Sequence, residues 1–180
     1  MTPAVAGGTP RGDPLRIEIS ARIAERCGLS AVNGQARAQG RLDQTESLQL
    51  AFNVDCNSPF RIGVNSAHGA MRLATANPRD SGTDGQGFSI EKGYDVALLV
   101  ATDNGAIDGG TCHSSALTGR DGRCRFYGAR PGQGISSGRD IAIGRTGSLT
   151  VSWRGGDDGG PRRAAGNYQD FLTVVIGPRT

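Results

Sequence analysis

Leu15, Ile17, Ile19, Ala21 and Ile23 fall on every second position, with Arg16, Glu18, Ser20 and Arg22 in the gaps. A period of two places the apolar set on one face of an extended strand and the polar set on the other. The spacing predicts a first strand over residues 15–24. A Pro- and Gly-containing leader without apolar periodicity, residues 1–14, precedes it. Such a strand needs a groove for its apolar face, in its own chain or in a neighbouring one.

The same period recurs downstream. Leu48, Leu50, Phe52 and Val54 alternate with polar or small residues and predict a strand ending at Cys56. Asn57-Ser58-Pro59 reads as a turn. Phe60, Ile62 and Val64 alternate again, so the two strands read as a hairpin. Residues 28–47 are polar and irregular with room for one short strand, and residues 74–89 are loop-like. Residues 94–101 form the most continuously apolar segment and suit a central strand, closed by a turn at Asp103-Asn104-Gly105. Residues 141–143 and 149–153 read as two further strands. Tyr168 to Ile176 reads as the last one. Short, evenly spaced strands without an amphipathic helix argue for an all-β, antiparallel sandwich. A chain of 180 residues fits one such domain.

Composition adds exclusions. The 29 Gly and 8 Pro suit a chain of many turns. No apolar run is long enough to span a bilayer, and residues 2–14 lack the apolar core of a signal peptide. For an exported protein, the expectation is either a mature chain carrying an added Met1 or a chain with a misplaced start. The net charge is only +3, and 19 of the 20 basic residues are Arg, scattered and not interleaved with aromatics. That distribution gives no nucleic-acid footprint.

Cys27, Cys56, Cys112 and Cys124 form an even set without a CxxC pair, and the two histidines complete no zinc spacing. Two disulfides are expected, and with them an oxidising compartment. Of the three possible connectivities, Cys112–Cys124 closes a short loop and Cys27–Cys56 ties the first strand region to a later one. Each bridge is worth roughly 2–4 kcal/mol.

Catalytic patterns are missing. The chain has no nucleophile elbow, no zincin motif and no phosphate-binding loop. Asp103, Asn104 and Asp108 do not have the spacing of a calcium loop. His68 and His113 read as loop residues, and Trp153 as a core or rim residue. The expectation is a non-enzyme without metal or cofactor.

Three features carry a resemblance. The first is the alternating strand that steps from Ile17 to Ile23 and on to Cys27. The second is Phe52-Asn53-Val54-Asp55-Cys56 followed by Phe60-Arg61-Ile62-Gly63-Val64. The third is Ala165-Gly166-Asn167-Tyr168-Gln169-Asp170 leading into Leu172 to Ile176. In this order and placement the chain resembles the spore coat protein U-like pilins, the subunits of archaic chaperone–usher pili. The Cys112–Cys124 loop and the long leader lie outside that family's pattern.

The resemblance implies an immunoglobulin-like sandwich, residues 25–180, that lacks its final strand, with residues 1–24 as leader and donor strand. Tyr168, Leu172, Val174 and Ile176 would border the open groove. Leu15, Ile17, Ile19, Ala21 and Ile23 would fill the groove of the next subunit by strand addition. Burying the four larger side chains yields a gross gain of roughly 6–12 kcal/mol. The implied partners are like subunits arranged head to tail, a periplasmic chaperone and an outer-membrane usher. The implied location is a surface fibre used in adhesion and biofilm. The competing expectation is a self-contained secreted binding or coat module whose first strand completes its own sheet.

Overall fold

The computed structural model describes residues 16, 18–32, 38–77, 83, 87–120, 123–156 and 161–179. Among them the chain is nearly all-β, with a 3-10 helix at Ser114–Thr118. The strands are β1 (Cys27–Ala31), β2 (Glu46–Cys56), β3 (Phe60–Ser66), β4 (Met71–Leu73), β5 (Glu91–Lys92) and β6 (Asp95–Ala101). They continue with β7 (Ala106–His113), β8 (Ile135–Ser136), β9 (Ala142–Trp153), β10 (Tyr168–Gln169) and β11 (Leu172–Pro178). A five-stranded sheet runs β1-β2-β9-β6-β7, and two three-stranded sheets run β11-β3-β8 and β10-β4-β5. The pairings within these sheets are antiparallel.

The period-two residues explain the layering. Val54 of β2, with Val96 and Val100 of β6, points inward from the large sheet. Phe60, Ile62 and Val64 of β3 meet them from the small one, and all six are fully buried. Phe126 adds a buried ring from the loop before β8. One apolar cluster thus joins the β11-β3-β8 sheet to the five-stranded sheet, an arrangement consistent with a β-sandwich. The expected disulfides are formed as Cys27–Cys56 and Cys112–Cys124.

Four expectations about elements are corrected. β2 and β3 do not form a hairpin. Between Phe52 and Val54 both edges of β2 are in use, by β1 and β9. Asn57-Ser58-Pro59 therefore carries the chain across the core to the other layer, where β3 pairs with β11 and β8. Residues 141–143 and 149–153 belong to one strand, β9, whose exposed polar middle hides its continuity from a hydrophobic pattern. The last strand is two: β10 pairs with β4, whereas β11 pairs with β3. Asp170 causes the break, because its carboxylate turns inward to accept hydrogen bonds. Finally, residues 18–26 form no strand on their own chain. Periodicity suits that segment to a sheet edge, but among the described residues no edge receives it.

Candidate functional site

Among the described residues, one flank of the sandwich is incompletely filled. β1 covers the edge of β2 only from Phe52 to Cys56. Among the described residues no strand continues along residues 46–51. On the opposite wall, β11 pairs with β3 through one edge and has no strand on the other among the described residues. Between these edges lies a cleft of about 1440 Å³. Its apolar lining includes Leu48 and Leu50 of β2, Val151 and Trp153 of β9, and Leu172 and Val174 of β11. Small-molecule pockets occupy roughly 300–1,000 Å³, so the space is on the scale of a peptide segment. Leu48, Leu50, Val151, Leu172, Val174 and Ile176 pack on the core yet stay only half-buried. A free strand edge beside unburied core side chains is a template for adding another strand.

The mouth of this cleft is held by a hydrogen-bond network. Asp170 Oδ2 accepts from Ser66 Oγ and Tyr94 Oη, both at 2.6 Å. Asp170 Oδ1 accepts from the backbone N–H of Phe171 at 2.7 Å and of His68 at 3.2 Å. One carboxylate thereby ties the start of β11 to the end of β3 and to the segment before β6. Tyr168 lies in β10 rather than in the edge strand, but it still lines the cleft. Its hydroxyl contacts the carbonyls of Ser89 and Ala164 at 3.0 and 2.8 Å. At the same end Trp153 Nε1 donates to the carbonyl of Arg41 at 3.0 Å, which seats residues 38–43 against the opening. Phe171 stands 62% exposed beside it.

Burial, then the hydrogen bond and charge of Asp170, push the Tyr94 phenol far above its ordinary range. The protonated phenol is thus favoured in the folded state. Its contribution to stability is complete below the unfolded pKa of about 10, and is lost as pH rises from there toward the higher folded value. Tyr94→Phe is expected to cost about 1.5–3 kcal/mol at neutral pH. The gap between wild type and variant should then narrow above pH ~10, by up to about 1.4 kcal/mol per pH unit. Urea unfolding at several pH values checks this.

None of the described residues of the N-terminal arm lines the cleft. Leu15 and Ile17 fall outside the described residues. Ile19 is 90% and Ile23 86% exposed, and Ala21 is exposed between them. The root of the arm is fixed. Asn57 Nδ2 donates to the carbonyl of Ala24 at 2.9 Å, and the Arg26 N–H donates to Asn57 Oδ1 at 2.8 Å. The Asn57 N–H donates to the carbonyl of Arg26 at 3.1 Å, and Arg26 pairs with Asp55 at 3.1 Å. The Cys27–Cys56 bridge follows directly. This anchorage lies where Cys27 faces Cys56, whereas the cleft begins at Leu29 and runs toward Leu48.

Asn57 and Asp170 were not legible as anchors, since each acts on segments distant in sequence; the Tyr168-Gln169-Asp170 motif was the only sign of the latter. His68 and His113 are both exposed. Among the described residues no cluster of His, Cys, Asp or Glu is arranged to hold a metal ion, and no helix is long and apolar enough to cross a membrane.

No family model matches the chain, and no curated protein or solved structure matches it. The likeness to spore coat U-like pilins rests on the sequence motifs alone.

Proposed function

We propose that this protein is a structural subunit that polymerises by inserting residues 15–23 of one copy into the cleft of the next. One observation carries the reading: the apolar side chains Ile19 and Ile23 are exposed on a segment rooted at Asn57, in a chain whose described residues leave an apolar cleft beside a strand edge that none of them pairs with. The contact is head to tail and does not close on itself, so it generates a filament. On this reading Leu15, Ile17, Ile19, Ala21 and Ile23 are the donor residues. Leu172, Val174 and Ile176 form the acceptor edge, and Tyr168 flanks it. Two disulfides suit assembly in an oxidising compartment. A chaperone that shields the cleft before polymerisation, an usher that exports the subunits, and a role in adhesion and biofilm belong to the same proposal.

The test uses a chain lacking residues 1–24 and a synthetic peptide of residues 13–24. Calorimetry should find one peptide per chain with micromolar or tighter affinity, and the melting temperature should rise with peptide concentration. The reading fails if the folded, truncated chain ignores the peptide.

A further inference from the structure

Three separate segments bring four arginines to one end of the β11-β3-β8 sheet. Arg61 of β3 points away from the core and its Nη1 donates to the carbonyl of Gly134 at 2.9 Å. Arg179, just beyond β11, donates through Nη1 to the carbonyl of Gly138 at 2.8 Å. Its backbone N–H is held by the carbonyl of Pro59 at 2.8 Å. The two guanidinium groups therefore rest on carbonyls that flank β8, four residues apart in sequence. Arg139 follows Gly138 directly and is exposed. Arg130 is exposed in the turn before β8. The Gln133 side chain fixes that turn by accepting from the N–H groups of Ala129 and Arg130 at 3.0 and 3.2 Å. The turn packs over Gly177, where a Cβ would meet the Gly132 nitrogen at 2.7 Å. Gly177 is in turn the register partner of Arg61.

Little opposes this charge. Among the described residues none of the four arginines forms an ion pair. The segments that carry them, residues 58–63, 128–140 and 175–179, contain one acid, Asp140. Its charged carboxylate accepts from Thr102 Oγ1 at 3.0 Å and Asn104 Nδ2 at 3.2 Å rather than from any of the four arginines. Nearby Asp55 and Asp103 are paired with Arg26 and Arg145. The same segments hold one aromatic residue, Phe60, and it is fully buried.

We propose that this end of the small sheet binds a linear anionic polysaccharide. A guanidinium group presents a planar fork of donors that matches a carboxylate or sulfate. Arg61 and Arg179 each use one donor on a backbone carbonyl and keep the others for a ligand. Their heads are thus positioned in advance, and less side-chain entropy is lost on binding. Several such heads on one rigid patch suit a chain of repeated negative groups better than a single small anion. Base-stacking side chains are absent from the patch, so a single-stranded nucleic acid gains nothing beyond charge there.

The full-length protein is passed over immobilised heparin and titrated with polygalacturonate at physiological ionic strength. Arg130→Ser/Arg139→Ser removes two exposed heads without touching the backbone anchors. It should weaken both interactions about five- to tenfold and flatten their salt dependence. Arg120→Ser/Arg154→Ser, which loses the same charge elsewhere on the surface, should change them less than twofold. Equal losses in the two variants overturn the proposal, as does failure of the wild type to bind. Equally tight binding of duplex DNA at the same ionic strength also overturns it, because the patch would then read charge alone.

Discussion

Ile19→Asp/Ile23→Asp is expected to leave the protein a folded monomer under conditions in which the wild type forms fibres. Both side chains are almost wholly exposed in the single chain. Replacing them removes no internal contact, and stability should stay within about 0.5 kcal/mol of wild type. In the filament the same positions would face Leu48, Leu50, Leu172 and Val174 of the next copy. A carboxylate there is buried without a partner, at a cost of several kcal/mol. It also replaces an apolar contact worth about 1.5–3 kcal/mol per residue. Two such losses exceed what backbone pairing along one strand edge can offset. Light scattering together with a thermal melt reads both arms of the expectation. Unchanged fibre yield from a normally folded variant would show that these residues do not drive assembly.

The second large effect falls on the receiving side. Asp170→Ala is expected to destabilise the domain by about 3–5 kcal/mol, a large share of the 5–15 kcal/mol typical of a folded domain. Four donors lose their acceptor at once. The N–H groups of His68 and Phe171 can turn to water. The Tyr94 hydroxyl cannot easily do so, because its residue is buried, and an unsatisfied buried hydroxyl costs about 1–3 kcal/mol. Loss of the tie also frees the start of β11, so affinity for the arm peptide should fall more than the fold loses order. Denaturant unfolding and peptide titration of the variant measure the two separately. A stability change below 1 kcal/mol with normal peptide binding would remove the carboxylate from its role as anchor.

Much of the fold was readable in the sequence because period-two alternation survives wherever a strand is buried on one face. β2, β3 and β11 carry it, while β6 shows as a continuous apolar run. The pattern does not encode which edges pair. Phe52–Val54 and Phe60–Val64 looked like two arms of a hairpin, yet β1 and β9 had already taken both edges of β2. β9 was divided because Arg145 and Thr146 are exposed and interrupt the apolar signal without interrupting the ladder. β10 and β11 were merged because the break between them comes from the Asp170 carboxylate, whose partners lie 76 and 104 residues away. The cleft was hidden for a related reason. It arises from strand edges left without a neighbour, and no local residue pattern records a missing neighbour. The arginine patch was invisible because its members come from three segments and read as scattered charge until β3, β8 and β11 align.

The most direct test of strand donation is the state of the purified full-length chain under oxidising conditions, followed by electron microscopy and light scattering, with amide exchange over residues 16–24. Donation between copies predicts heat-resistant fibres in which those amides are protected, and a chain without residues 1–24 that stays monomeric until the arm peptide is supplied. A stable full-length monomer whose residues 16–24 are already protected would contradict it, because the arm would then complete its own sheet and the protein would be a self-contained module.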